Sequence, residues 1–223
     1  MTMTTELGYD DLPALMTRLT GDEKHDSSAH STLDVLWVLY DRVLQDGDRF
    51  MLSKGHGPAA YYALLAAKGV IPLELLDGFG TFDSPLGHHP DRNLVPGVEI
   101  SSGSLGHGLP LAVGTALGLR AQGNDARVVV LVGDAELDEG SNHEALELAA
   151  ALDLDRLTVV VVDNRSSSYT VPGRIAQRFA VEGWDVRTVD GRDHDALRSA
   201  LGRTGVGRPS VVVATVVDEE VAA

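Results

Sequence analysis

From residue 127 onward the chain alternates short valine-rich runs with amphipathic segments, and few folds accommodate that pattern. Runs at 128–132, 157–162, 186–189 and 210–217 read as strands, and segments 142–152, 175–184 and 193–201 read as helices. A run that is apolar at successive positions has no solvent face, so its strand must be covered on both sides. Such strands alternating with helices predict an α/β fold, a parallel sheet with helices on both faces and right-handed crossovers. Before residue 127 the apolar spacing is helical at 32–44 and 58–67. Segment 105–121 is rich in Ala, Gly and Leu almost all round, which predicts a buried helix. Segment 78–104 holds turn sequences such as Gly87-His88-His89-Pro90 and Val95-Pro96-Gly97 and reads as irregular. Long loops in compact domains are usually functional.

A length of 223 residues supports one sizeable core and is thin for two, so one domain spanning 1–223 is expected. The formal net charge is −15, with only 18 Lys and Arg in all, which argues against nucleic-acid or anionic-membrane partners. An anionic ligand would then need a metal or backbone amides to hold it. There is no cysteine, which rules out disulfides and thiolate metal sites and suits a reducing cytoplasm. The first twenty residues carry Glu6, Asp10 and Asp11 and no long apolar core, unlike a signal peptide or a membrane span. A soluble, cytoplasmic protein is expected.

The chemistry concentrates behind two of the predicted strands. Gly133-Asp134-Ala135-Glu136-Leu137-Asp138-Glu139-Gly140-Ser141-Asn142 follows the first, and Asp163-Asn164 follows the second. If those strands are neighbours their carboxyl ends lie roughly 5 Å apart. Asp134 and Asn164 can then reach one cation at about 2.1 Å, the magnesium–oxygen distance. Ser141-Asn142-His143-Glu144 fits a capping box, which predicts a helix start at Ser141 and a loop over 135–140. That loop carries Glu136, Asp138 and Glu139, which would repel a bare phosphate. A magnesium ion bridging acid and phosphate resolves the conflict and points to a diphosphate cofactor at the edge of a parallel sheet. The competing reading is that Asp134 and Asn164 are ordinary turn residues.

Segment 133–164 resembles the thiamine diphosphate motif that begins Gly-Asp-Gly and ends some thirty residues later in Asn. Three further segments, in chain order, resemble transketolases: Asp48-Arg49-Phe50-Met51-Leu52-Ser53-Lys54-Gly55-His56-Gly57, His89-Pro90-Asp91, and Pro96-Gly97-Val98-Glu99-Ile100-Ser101-Ser102-Gly103-Ser104-Leu105-Gly106-His107-Gly108. The match is to the diphosphate-binding (PP-type) N-terminal domain of that family, particularly the short subunits of split transketolases, over roughly 25–217. The resemblance implies that Asp134 and Asn164 ligate magnesium through their side chains and Ser166 through its carbonyl. It implies that Gly103 and Leu105 offer backbone groups to the aminopyrimidine, and that Gly133 and Ala135 lie against the diphosphate. His25, His56 and His89 match positions facing the diphosphate, the thiazolium or the sugar hydroxyls, where imidazole moves protons near neutral pH. Glu139 matches an acid at the subunit interface. His107 is balanced between the site wall and a helix-start role, while His30, His88, His143 and His194 read as solvated or capping. Lys54, in the same loop as His56, could steer a phosphate, but a lone lysine is more often a surface charge.

Three positions depart from the family pattern. Lys24-His25-Asp26-Ser27 lacks the glycines that usually flank the histidine, Ala135 replaces the second glycine of the magnesium motif, and Ser166-Ser167-Ser168 replaces apolar residues. The expected organisation is a single PP-type domain with an extension over 1–24 and without the pyrimidine-binding domain. In this family that second domain supplies the glutamate that activates the cofactor. A partner subunit in an α2β2 assembly is therefore expected, with ketol transfer from a ketose to an aldehyde as the leading activity. The alternatives are a subunit of a 2-oxo acid decarboxylase or dehydrogenase, disfavoured by segment 96–108, and a regulatory homologue that has lost tight cofactor binding, disfavoured by Asp134 and Asn164.

Overall fold

The computed structural model describes residues 7–19, 26–167, 171–203 and 207–216. Five strands, β1 (Arg49–Leu52), β2 (Val128–Gly133), β3 (Leu157–Asp163), β4 (Asp185–Asp190) and β5 (Ser210–Thr215), form one sheet. Every pairing is parallel and the order across the sheet is β1-β2-β3-β5-β4. Helices α1 (Leu12–Met16), α2 (Asp26–Val38), α3 (Ala59–Ala67) and α7 (His194–Leu201) pack with Val129, Leu131, Val160 and Val162. On the other face α4 (Gly108–Ala121), α5 (Gly140–Ala151) and α6 (Arg174–Val181) pack with Val128, Val130, Val132, Val159 and Val161. The two-residue period of a strand thus divides one valine run between two cores. Full burial of each such side chain stabilises by about 1.5–3 kcal/mol, whereas an exposed, solvent-screened pair such as Arg18–Asp77 adds little.

The expected α/β architecture is present, with several local differences. Strand β1 has no valine-rich run to announce it; four mixed residues become a strand because β2 offers them a ladder, Leu52 pairing with Leu131. Helix α2 is already helical at Asp26, ahead of the predicted 32, and continues into a wider π-type turn at Leu39–Val43. Helix α4 starts at Gly108, not 105, and it is not buried all round. Leu109, Ala112, Val113, Ala116 and Leu119 face the core, while Leu111 is 49% exposed. Its composition hid a one-sided burial. The predicted capping box does not form: the helix starts one residue earlier than expected, so Ser141 lies inside its first turn, where its hydroxyl donates to the Gly106 carbonyl at 2.7 Å. Helix α5 begins at Gly140, with Glu139 at the N-cap and no side-chain cap, and 135–138 is a 3-10 turn rather than open loop. By contrast, Asp193 caps α7 as its type predicts, accepting the amides of Asp195 and Ala196 at 3.0 and 2.9 Å.

Two polar knots close the structure over long sequence separations. Asp34, buried on α2, accepts from the Tyr9 hydroxyl at 2.6 Å and from Arg192 at 2.6 Å, and lies 2.8 Å from His194 Nε2. His194 is therefore no solvated residue. Burial, reinforced by Asp34, holds the Tyr9 phenol well above its ordinary pKa. At the amino edge of the sheet Asp48 accepts from the Arg127 backbone amide at 2.9 Å and from its guanidinium at 2.8 and 3.1 Å, while the guanidinium also donates to the Val43 carbonyl at 2.7 Å. Desolvation alone would raise the Asp48 pKa, but these donors outweigh it and leave the group below its ordinary value.

A carboxylate whose folded pKa is depressed contributes stability above its unfolded pKa and loses it as pH falls through the folded value. Asp48→Ala, which strands the largely buried guanidinium, is expected to lower unfolding free energy by about 3 kcal/mol at neutral pH. Urea denaturation read at pH 7 and again below pH 4 checks both statements: the gap between variant and parent should narrow in acid.

Candidate functional site

Parallel strands send every connection from a strand to its following helix out of the same edge. At that edge β1 ends in Ser53-Lys54-Gly55-His56, β2 in Asp134 and β3 in Asn164. The turns are tied to the ladder: Ser53 and Lys54 amides both donate to the Leu131 carbonyl, at 2.8 and 3.1 Å, and the Asp134 amide donates to Val162 at 3.2 Å. Strands β2 and β3 are direct neighbours, with Gly133 opposite Val162, so the adjacency needed to bring Asp134 and Asn164 together exists.

Asp134 is 2% exposed. Its Oδ1 accepts from the Ser166 hydroxyl at 2.5 Å and its Oδ2 from the Ser167 amide at 3.0 Å, while the Ser167 hydroxyl donates to Asp138 at 2.9 Å. Asn164 Oδ1 is buried without a hydrogen-bond partner. A buried amide oxygen with nothing to accept from is costly, and such an atom asks for a ligand. A carboxylate and an unsatisfied amide oxygen on adjacent strand ends form a hard-oxygen donor set that fits magnesium, with further ligands from phosphate and water. Among the described residues no cluster of three or more His, Cys, Asp or Glu could hold a metal by itself, so the cation would depend on such added oxygens.

The second half of the site is built by glycines. Gly103 has φ 111°, and a Cβ there would meet the His89 ring at 2.9 Å. Gly106 has φ 81°, and its Cβ would lie 2.6 Å from Glu139 Cβ; at Gly108 it would lie 2.2 Å from Ser53 Cβ. This segment therefore sits flush on the ends of β1 and of the 135–138 turn, an approach that only glycine allows. Leu105 and His107 are exposed on it, His89 is exposed beside it, and His56 is half-buried in the β1 turn. Ala135 opens the 3-10 turn and is not among the positive-φ residues, so its methyl group meets no backbone strain. Arg165 does adopt a left-handed conformation, φ 56°, with its amide on Asp163 at 3.2 Å. Burial raises the Asp163 pKa, partly offset by that amide. A cleft of about 330 Å³ opens between Asp163, Arg165, Ser167, Pro172, Gly173 and Thr215. His25 lies outside the described residues.

Two residues of this edge are buried where the sequence favours exposure. Lys54 is 3% exposed, the reverse of a surface charge, with Nζ donating to Ser31 at 2.8 Å and its stem about 3.4 Å from where a Gly133 Cβ would stand. Burial lowers its pKa to about 8, against the pull of Asp134 and Glu136. Glu136 is 1% exposed and was read only as one acid of a repelling loop. Its carboxylate faces inward, and burial raises its pKa against four opposing contacts.

Residues 35–220 match the family model described as "Transketolase, thiamine diphosphate binding domain". The chain is 34% identical over 206 residues to a subunit of apulose-4-phosphate transketolase from Actinobacillus succinogenes, covering 85% of this chain and 75% of that protein. It is 56% identical over 222 residues to a protein of Rhodococcoides fascians called ferredoxin fas2, covering 95% of this chain and 73% of that one. With no cysteine, this chain offers no thiolate for an iron–sulfur cluster. The fold superposes on transketolase from Leishmania mexicana with a TM-score of 0.74 at 29% identity, covering 95% of this chain but only 37% of that one. The parallel sheet, its loaded carboxyl edge and these matches together assign the chain to the transketolase family, as a member of its thiamine diphosphate binding domain.

Proposed function

We propose that this chain is the diphosphate- and magnesium-binding subunit of a two-component transketolase that moves a two-carbon ketol unit from a ketose to an aldehyde. The observation that carries the reading is the pairing of buried Asp134 with the partnerless Asn164 Oδ1 at adjacent strand ends. Asp134 and Asn164 would hold magnesium by side chain, with Ser166 adding its carbonyl. Gly133 and Ala135 would admit the diphosphate at close range, and Gly103 and Leu105 would present backbone groups to the aminopyrimidine. When bound, thiamine diphosphate supplies the electron sink that lets the carbon–carbon bond beside a ketose carbonyl break. His56 and His89 would hold and return protons at the sugar hydroxyls, with His25 as a third candidate and His107 on the site wall. Imidazole suits that work because it titrates near neutral pH.

The Actinobacillus relative is named as one subunit of its enzyme, which supports a partner chain here. A second relative, from Clostridium sp., is likewise named as one subunit, of 6-deoxy-6-sulfo-D-fructose transketolase, at 32% identity. The partner would carry the pyrimidine-binding domain, contribute the activating glutamate and meet Glu139, in an α2β2 assembly. Exposed Leu105 and Leu111 flank Gly106, the residue that lies against Glu139, and suit that contact. Among the described residues no helix is long and apolar enough to cross a membrane.

Calorimetry with thiamine diphosphate and magnesium, with and without a chain carrying the pyrimidine-binding domain, tests the reading. Binding should disappear when the metal is chelated, and Asp134→Ala should weaken it by about 100-fold, on the order of 3 kcal/mol. Metal-independent binding, or none under either condition, sinks the proposal. Gly103→Ala adds a Cβ at a left-handed backbone position against His89 and is expected to lower stability by about 1–3 kcal/mol in urea unfolding, with cofactor affinity falling in parallel.

A further inference from the structure

Glu136 sits where three segments meet. Its Oε1 accepts the Ser53 hydroxyl from the β1 turn and the Gly106 amide at 3.2 Å, and its Oε2 accepts the Gly133 amide at the end of β2 at 3.3 Å. The Ser53 oxygen in turn accepts the Gly108 amide at 3.1 Å, so the carboxylate reaches a second point of the glycine segment through one hydroxyl. Its own carbonyl accepts from the buried Asn142 side chain at 2.6 Å, which ties the turn to α5. Every group aimed at the carboxylate is a donor. Only an acceptor on both oxygens satisfies them; an amide in its place turns a hydrogen toward either Gly133 or the Ser53–Gly106 pair. Buried Lys54, packed against Gly133, balances the charge locally.

The segments joined in this way are those the proposed function assigns to opposite ends of one ligand, Gly103 to Gly108 on the ring side and Gly133 to Ala135 on the diphosphate side. We propose that Glu136 is a positioning residue, which fixes the separation between the glycine segment and the end of β2 and so pre-forms the cradle for thiamine diphosphate. The inference rests on the proposed function for the identity of the ligand, but its structural half stands on the hydrogen bonds alone. Glu136 touches neither metal nor cofactor in this role; it acts through the Gly106, Gly108 and Gly133 backbones. Pre-forming a site lowers the ordering that binding must otherwise supply.

The test uses the full chain, with amide hydrogen exchange read residue by residue and calorimetry against thiamine diphosphate with magnesium. In Glu136→Gln, exchange at Gly106 and Gly108, or at Gly133, should quicken at least tenfold while amides of Val159 to Val161 stay as they were, and the cofactor Kd should rise at least tenfold. Ser53→Ala, a milder change that serves if Glu136→Gln does not fold, should free the Gly108 amide and weaken binding in the same direction. The double variant should lose less than the sum of the two, because both cut one network. Glu136→Asp, which keeps the charge, should recover part of the affinity that Glu136→Gln loses. If the unsubstituted chain binds cofactor and Glu136→Gln binds it equally well with unchanged exchange at the three glycines, this inference alone fails. Quickened exchange spread evenly over the sheet would reduce Glu136 to a general stabiliser and also overturn it. A parent chain without metal-dependent binding would overturn the cofactor reading, and the ligand half of this inference with it.

Discussion

All five strands run in one direction, and that single constraint decides where chemistry occurs in this chain. A parallel ladder leaves no hairpins, so each strand must be followed by a connection that crosses a face of the sheet. The connections that begin at Leu52, Gly133 and Asp163 all leave from the carboxyl edge, and the strands they leave are adjacent. Ser53, Lys54, Asp134, Glu136 and Asn164, spread over more than a hundred positions, are neighbours for this reason. The valine runs that look like mere core are what aim them.

The edge solves an electrostatic problem that the net charge of −15 makes acute. Asp134 and Glu136 are buried within a turn that also carries Asp138 and Glu139, and one buried cation, Lys54, shares the space. Each carboxylate is held mainly by amides and hydroxyls rather than by ion pairs: Ser166 and Ser167 on Asp134, and Ser53, Gly106 and Gly133 on Glu136. Oriented dipoles of this kind stabilise a charge without a mobile counter-ion. Ser166 and Ser167, two of the serines that replace apolar residues after Asn164, thus have a function in this chain, as donors to the acids beside them.

Much of this was legible in the sequence, and the unread parts share a cause. Unbroken valine runs, with no polar alternation, specify a doubly covered strand whatever surrounds them, so β2, β3 and β5 can be placed from the sequence, and the acid and amide behind two of them can be paired. Strand β1 could not, since Arg49 to Leu52 become a strand only through a neighbour 79 positions away in the chain. Helix α4 is covered on one side only, and composition does not say which side of an apolar helix the sheet will cover. The capping box at Ser141 does not form because α5 starts one residue earlier, at Gly140, and places Ser141 inside the first turn with its hydroxyl on the Gly106 carbonyl. Glu136 and Lys54 follow the same logic: a charged residue looks solvated until its hydrogen-bond partners arrive from elsewhere in the chain. His194 likewise needed Asp34, 160 positions earlier.

The strand order carries a consequence for how the chain is made. Among the described residues β4 has a single partner, β5, which follows it in sequence and separates it from β3. As the polypeptide leaves the ribosome, β1, β2 and β3 can pair in the order they emerge, but β4 has nowhere to dock until residues 210–215 have been synthesised and inserted. Asp34 waits even longer in relative terms, emerging early yet meeting Arg192 and His194 only when that far side of the sheet is in place. Contacts over such distances in sequence slow folding and leave unpaired strand edges exposed for longer. In a nascent chain cut short before residue 210, a half-sheet would present the open flank of β3, and the valine run of β5 is the one that closes it.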